Sequence, residues 1–88
     1  MLKGTLKSGF EFEVDENTLD NMELIDAMAE AQSDNPAMFS KAVVLLLGKD
    51  QRNSLYDHIR KDDGRVSIEE VTNAFVEIFE ALGEQGKN

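Results

Sequence analysis

The fold class is indicated by the stretch LKGTLKSGFEFEV, which spans residues 2–14. Apolar and polar side chains alternate on both sides of the pair Ser8-Gly9, and a period of two residues is typical of β-strands. Ser8-Gly9 suits the turn of a hairpin, because glycine tolerates a positive φ. Lysines in the first half face glutamates in the second, so we expect cross-strand pairs of opposite charge. Since a lone hairpin is marginally stable in water, other elements must cover its apolar face.

Four amphipathic segments follow the hairpin. The first is predicted to start at a capping pair formed by Asp20 and Glu23, and to end at the breaker sequence 33–36. One of its faces is apolar, and we expect this face to be core, with an adaptable methionine-rich partner surface as the alternative. The residues of that face are Met22, Ile25, Met28 and Ala29. The sequence therefore predicts an α+β fold, with an N-terminal β-hairpin followed by a small bundle of about four α-helices.

The remaining three segments are bounded by glycines and helix caps. The second is predicted over 36–47 with Gly48 ending it, and the third over 50–61. The fourth begins after Ser67, which forms an S-x-x-E capping box with Glu70, and it ends at Gly83. We therefore expect a single domain over residues 1–83 and a flexible C-terminal tail over residues 84–88.

The second segment is apolar on nearly every side of its C-terminal half. Phe39, Ala42, Val43 and Leu46 form one stripe, and further apolar residues lie outside it. Such a helix is either the central element of the domain or partly a binding surface, and the sequence alone leaves both interpretations open. If the surplus apolar surface serves a partner, the residues expected to contact that partner are Val44, Leu45, Leu47, Phe79 and Leu82.

Composition and charge limit the classes of function. The chain has 88 residues and no cysteine, so we expect one domain held by an apolar core and exclude a cysteine-based metal site. Its formal net charge of −9 disfavours nucleic acid and anionic membranes as partners. The negative charge either solvates the protein or steers it toward a basic partner. The first residues lack an apolar leader segment, so a cytoplasmic location is expected.

No catalytic centre can be assembled from these residues, so we expect no enzymatic activity, no cofactor and no metal. His58 is the single histidine, and a Ser–His–Asp triad would need a serine on a sharp turn beside it. Neither of the glycine-rich phosphate-binding patterns occurs. We interpret His58 as a surface or half-buried helix residue.

Residues 59–70 suggest an alternative function, that of a degenerate EF-hand-like regulatory or protein-interaction module. With Gly64 at the sixth loop position, Asp63 and Glu70 fall at the fifth and twelfth positions, which suit calcium. Ile59 and Lys61 stand at the first and third positions, where carboxylates are needed. An Asp-Gly turn followed by a helix cap explains the same residues without a metal.

Five pieces of the chain together resemble the small tail assembly chaperones of long-tailed phages and prophages of Gram-positive bacteria. The pieces are the hairpin LKSGFEFEV (6–14), the helix MELIDAMAE (22–30), the run VVLLLG (43–48), the turn DDGRV (62–66) and the ending FVEIFEALG (75–83). The resemblance covers nearly the whole chain. It lies in the order of the segments and in their pattern of apolar and polar residues, and it includes no catalytic signature.

The resemblance implies a binding function. Proteins of this family bind the tape measure protein, keep it soluble, and help recruit tail tube protein subunits around it. They act in the cytoplasm of the host bacterium and are absent from the mature virion. A homo-oligomer is possible. Many members also have a longer form made by ribosomal frameshifting, and codons for Gly86-Lys87-Asn88 can contain a heptamer on which ribosomes slip.

Overall fold

The structure is a computed structural model that describes residues 1–85. Two antiparallel strands, β1 (Leu2–Thr5) and β2 (Glu11–Val14), form an N-terminal hairpin. A short 3-10 turn (Glu16–Leu19) follows, and then come three helices, α1 (Met22–Gln32), α2 (Met38–Ile59) and α3 (Ile68–Gln85). The predicted α+β class with an N-terminal hairpin is confirmed.

The hairpin has the alternation that the sequence predicts. Lys3 stands opposite Glu13 on the exposed face, and Gly4 stands opposite Phe12 on the buried face. The Phe12 ring covers Gly4 so closely that a β-carbon at residue 4 would lie 2.5 Å from it. This strand therefore needs glycine where the facing strand contributes a large aromatic ring.

Helix α2 is one bent helix in the place where the sequence predicts two. Gly48 has φ 80° and ψ 161°, a conformation that is essentially restricted to glycine. Helical structure resumes at once on the other side, so no loop separates the arm before Gly48 from the arm after it. The helix is interrupted at Gly48, but by a bend and not by the end of the helix. The predicted count of about four helices is wrong, because the described residues form three helices.

The bend in α2 is joined to the hairpin through Gln51. The Gln51 side-chain amide accepts a hydrogen bond from the Glu13 backbone N–H at 2.8 Å and donates one to the Glu13 carbonyl. Its Nε2 also donates to the Leu47 carbonyl at 2.9 Å. One side chain therefore pairs the outer backbone groups of β2 as a neighbouring strand would, and holds them against the turn of α2 that precedes the bend.

The helix ends differ in detail from the predicted ones. Asn21, and not Asp20, caps α1, since its side chain accepts from the Glu23 N–H at 3.0 Å. The Ser67 hydroxyl accepts from the Glu70 N–H at 3.3 Å, which confirms the cap of α3. The predicted end of α3 at Gly83 is wrong, because this helix continues to Gln85. Of the predicted flexible tail, residues 86–88 lie outside the described residues.

A single core joins all of these elements. The hairpin contributes its buried face, α1 contributes two residues, and both arms of α2 and the inner face of α3 supply the rest. Its members are Leu6, Phe10, Phe12, Val14, Leu24, Ala27, Ala42, Val43, Leu46, Leu47, Leu55, Val71, Ala74, Phe75, Ile78 and Leu82. The core has no buried polar or charged residue among the described part of the chain. Its stability therefore comes from apolar packing.

We expect the two glycines that stand inside helices to respond oppositely to alanine. Gly48→Ala should lower the free energy of unfolding by about 1–3 kcal/mol, because a side chain strains the backbone conformation of the bend. Gly83→Ala, in ordinary helical backbone with open space around it, should raise that free energy by up to about 1 kcal/mol. Urea unfolding followed by circular dichroism measures both. Equal stability of the two variants would show that the bend at Gly48 is not required.

Candidate protein-binding surface

The structure separates the five predicted partner-binding residues into two groups. Leu47 and Leu82 are core residues, with 7% and 0% of their surfaces exposed. Val44, Leu45 and Phe79 are half-buried, and the latter two pack against the core. Leu47 and Leu82 therefore cannot be reached by a partner in this fold, because the helix faces that carry them point inward. A contact through Val44, Leu45 or Phe79 stays a prediction.

A different apolar surface is open, between the end of α1, the start of α2 and the outer side of α3. We call it the three-helix groove. Its volume is about 300 Å³. Its lining residues are Met28, Ala31, Gln32, Pro36, Phe39, Ile68, Thr72, Phe75 and Val76. No residue of the hairpin contributes to it, so the groove lies where the two strands do not cover the helices.

Aromatic rings stiffen the floor of the groove. Phe39 of α2 meets Phe75 of α3 edge to face, with ring centroids 5.2 Å apart. Phe79, one turn further along α3, stacks on Phe75 at 6.2 Å. Such aromatic pairs add about 0.5–1.5 kcal/mol each beyond burial alone. The rings therefore fix the spacing between α2 and α3 at the groove.

The rim of the groove is exposed and aliphatic. Ile68 is 79% exposed and Val76 is 48% exposed, both on α3. A second recess of about 400 Å³ adjoins the groove, shares Pro36, Phe39 and Ile68 with it, and extends toward Tyr56. The two recesses together form one continuous apolar surface across the three helices. This surface is therefore the candidate site for contact with another protein.

Part of the apolar face of α1 is exposed to solvent, so the expectation that this face belongs to the core is wrong for that part. Met22 is 67% exposed and Ile25 is 41% exposed, while Leu24 and Ala27 are the buried residues of α1. Met28 is half-buried and reaches the groove. The helix therefore has two apolar sides, one packed mainly on α2 and one facing solvent.

Acidic residues lie on the outer sides of α1 and α3. On α3, Glu69 and Glu80 lie in one helical row with Val76, because the three are seven and four residues apart. On α1, Asp26 and Glu30 are exposed too, but the helical spacing places them on the side away from Met28 and Gln32, which line the groove. All four carboxylates are exposed, and within residues 1–85 none lies within ion-pair distance of a basic group. Neither α1 nor α3 contains a lysine or arginine. The groove therefore has an apolar floor, and acidic residues follow its outer edge on α3.

The fold also brings His58 to the turn of the hairpin, a contact that the sequence did not indicate. The His58 Nε2 lies 3.2 Å from both the Ser8 carbonyl oxygen and the Ser8 hydroxyl. The tautomer decides the direction: a protonated Nε2 donates to the carbonyl oxygen, whereas an unprotonated Nε2 accepts from the Ser8 hydroxyl. The Phe10 ring lies 5.6 Å from the imidazole. This arrangement holds the turn against α2.

The turn between α2 and α3 uses the residues that the EF-hand-like alternative would need for calcium. Glu70 pairs with the Lys61 ammonium. The Asp63 carboxylate accepts from the Arg65 N–H at 2.9 Å and lies 3.4 Å from the Arg65 guanidinium. Within residues 1–85 no three acidic or histidine side chains come together as metal ligands. The local geometry favours a structural turn.

Comparison with protein-family models, with curated proteins and with solved structures gives no match for this chain. Among the described residues, no helix combines the length and the apolar character that are required to cross a bilayer.

We expect a charge to be tolerated at Val44 and not at Leu47. Leu47→Asp should destabilise the domain by more than about 3 kcal/mol, because an unpaired carboxylate would enter the core. Val44→Asp, three residues earlier on the same arm, should cost about 1 kcal/mol or less. Thermal unfolding by circular dichroism compares them. A folded Leu47→Asp variant as stable as Val44→Asp would place Leu47 at the surface.

Calcium should give no saturable binding heat. Lys61 neutralises Glu70, and an ammonium group within the loop repels a cation. Isothermal titration of the protein with calcium up to about 1 mM, the weak end of the EF-hand range, measures this directly. A one-to-one binding heat that Glu70→Gln removes would support the EF-hand-like alternative.

Proposed function

We propose that this protein is a tail assembly chaperone of a long-tailed phage or prophage, which binds the tape measure protein and keeps it soluble. The observation that carries the proposal is the three-helix groove. A small domain that exposes an apolar groove in a negatively charged surface is suited to holding an apolar client while repelling its own copies. The tape measure protein is proposed as the client because the order of the segments and their pattern of apolar and polar residues resemble those of tail assembly chaperones.

The proposed mode of binding is a client helix laid in the groove. Recognition of an amphipathic helix uses apolar anchors about one turn apart, which enter a hydrophobic groove. Ile68, Val76 and Met28 offer contacts of that kind around the aromatic floor. Methionine adapts its shape to different anchors, which suits a chaperone that meets many segments of one long client.

Release of the client is part of the proposed function. The chaperone leaves when tail tube protein subunits polymerise around the tape measure protein, so each individual contact has to be weak. A single groove of about 300 Å³ is at the small end of the range for ligand pockets, so one copy offers the client a limited contact. Many copies along one client would then hold it by their number, and a homo-oligomer is one way to arrange them. Under this proposal the protein works in the host cytoplasm, does not bind nucleic acid or membrane, and is absent from the mature virion.

The proposal is tested first by the genes beside this one and then by co-expression. We expect a long, helix-rich open reading frame directly downstream. Its product should remain in the soluble fraction and co-purify when this protein is co-expressed, because the apolar surface of the client is covered. The amount of soluble client with and without this protein is the measurement.

The double variant Ile68→Ser/Val76→Ser separates binding from a general effect on expression. Both positions are exposed, so this variant should fold, yet the soluble yield of the client should fall. Met22→Ser, an exposed position outside the groove lining, is the matched control and should leave the yield unchanged. Equal client solubility with and without the wild-type protein would refute the proposed function.

A further inference from the structure

We infer that a second copy of this chain is a partner of the protein, held by opposite charges on two helices. The inference goes beyond the proposed function, which leaves the contact between copies undefined. One side of the contact is a basic row on the arm of α2 after the bend, formed by Lys49, Arg52, Tyr56 and Arg60. The other side is an acidic row on α3 of the second copy, formed by Glu69, Val76 and Glu80.

Unpaired charge is divided between the helices. Neither α1 nor α3 contains a lysine or arginine, whereas α2 contains Lys41, Lys49 and Arg52. Within residues 1–85, none of these three cations lies within ion-pair distance of a carboxylate. Glu69 and Glu80 are exposed and lack a basic partner in the same range. Charges that one molecule leaves unpaired can therefore pair between two molecules.

Both rows have members that are seven and four residues apart. On α2 these members are Lys49, Tyr56 and Arg60, and on α3 they are Glu69, Val76 and Glu80. Residues at these intervals lie on one side of a helix, and each set measures about 16 Å from end to end. Two helices laid side by side in the same direction then bring a cation to each carboxylate and the Tyr56 ring to Val76. The contact therefore combines two charge pairs with an apolar centre.

Contacts within α2 already hold the basic row in place. The Arg52 guanidinium lies over the Tyr56 ring, 5.8 Å from its centre. Arg60, the C-cap residue, donates to the Asp57 carboxylate at 3.0 Å and keeps further N–H donors for a partner. Asp50, the other carboxylate of this arm, lies on the next side of the helix. The row therefore presents its positive charge on one side, and its two arginines lose little side-chain freedom on binding.

The acidic side of α1 does not match the basic row. Met22, Asp26 and Glu30 follow one another at intervals of four residues, so the apolar member stands at one end. In the basic row Tyr56 stands between cations, which is the place that Val76 has between the two glutamates of α3. The spacing therefore selects α3 of the second copy as the surface that fits.

The overall charge of the protein limits the strength of this contact. A net charge of −9 keeps two copies apart in most orientations, and only the orientation that joins the rows replaces repulsion by attraction. Exposed ion pairs contribute at most about 1 kcal/mol each. The association is therefore specific and weak, with a dissociation constant on the order of 1 mM.

Exchange of charge between the two rows tests the inference with the full-length protein. We expect the apparent mass of the wild type in sedimentation equilibrium to rise as its concentration goes from about 0.05 mM to about 2 mM. Lys49→Glu/Arg52→Glu makes the basic row acidic, and Glu69→Lys/Glu80→Lys makes the acidic row basic. Each variant alone should stay monomeric over that range, because like charges then face each other.

An equimolar mixture of these two variants should associate again, because each altered row then meets its opposite. Each variant shifts the net charge of −9 by four units, so both remain negative and overall attraction cannot produce this result. The measurement is again the apparent mass against concentration. A mixture that stays monomeric overturns the inference.

The double variant Asp26→Lys/Glu30→Lys is the matched control. It makes the same change of net charge as Glu69→Lys/Glu80→Lys, also on exposed acidic residues of a helix, but α1 lies outside both rows. This control should associate like the wild type. Far-ultraviolet circular dichroism verifies that each variant folds. Loss of association in the control as well would assign the effect to net charge and overturn the inference.

The outcomes distinguish this inference from the proposed function. Neither Lys49 nor Arg52 lines the groove, so Lys49→Glu/Arg52→Glu tests the contact between copies without changing the proposed client site. A wild type that stays monomeric, yet keeps the tape measure protein soluble, overturns the inference alone. Association that follows the exchanged charges, with no effect on the tape measure protein, refutes the proposed function alone. Association that Ile68→Ser/Val76→Ser removes and the charge variants leave unchanged would assign the contact to the groove and overturn the inference.

Discussion

The bend at Gly48 is the constraint on which the arrangement of the other elements depends. A straight helix over 38–59 would measure about 33 Å and could place only one stripe of side chains against a small core. Because Gly48 leaves the helical path, the arm before it and the arm after it run in different directions. The first arm then supplies Ala42, Val43 and Leu46 to the core, while the second supplies Leu55.

The bend also determines where the hairpin lies. Gln51 is one turn past Leu47 and reaches both its carbonyl and the backbone of β2, so the arm after the bend is connected to the hairpin at Glu13. Further along the same arm, His58 contacts the hairpin turn at Ser8, and Glu77 of α3 accepts from the Lys7 N–H at 2.9 Å. The hairpin is therefore held over one side of α2 and α3. Two strands are too few to cover the other side, which is where the groove opens.

Sequence patterns predicted the elements better than they predicted the surface. The hairpin followed from strict alternation and from the Ser8-Gly9 turn, and the cap of α3 followed from the spacing of Ser67 and Glu70, because both signals are local. The helix count was wrong because a glycine after an apolar run predicts a helix end, and the sequence does not tell whether a loop or a bend follows. The bend is accompanied by the tertiary contact between Gln51 and Glu13, which joins residues 38 positions apart and leaves no local signal in the sequence.

The binding residues were harder to predict for a related reason. Apolar periodicity indicates that a residue can be buried, but not which of two apolar sides of a helix faces the core. Leu82 matches the periodic stripe of α3 and is core, whereas Ile68 matches the same stripe but is the first residue of α3 and lies exposed at the rim of the groove. On α1 the same ambiguity led to a prediction of burial for Met22 and Ile25, which are exposed.

The core and the exposed rim of the groove are formed by different residues. The residues that hold the fold, such as Leu24, Leu55 and Ile78, are fully buried and lie apart from the exposed rim of the groove. Substitutions at Ile68 or Val76 change little that the core depends on, because these side chains already face solvent. Under the proposed function, the preference for a client could thus shift through the rim while the bent helix and the hairpin stay as they are. A chaperone fitted to one client would gain from that separation, since a change in the client could be matched at the surface without a loss of stability.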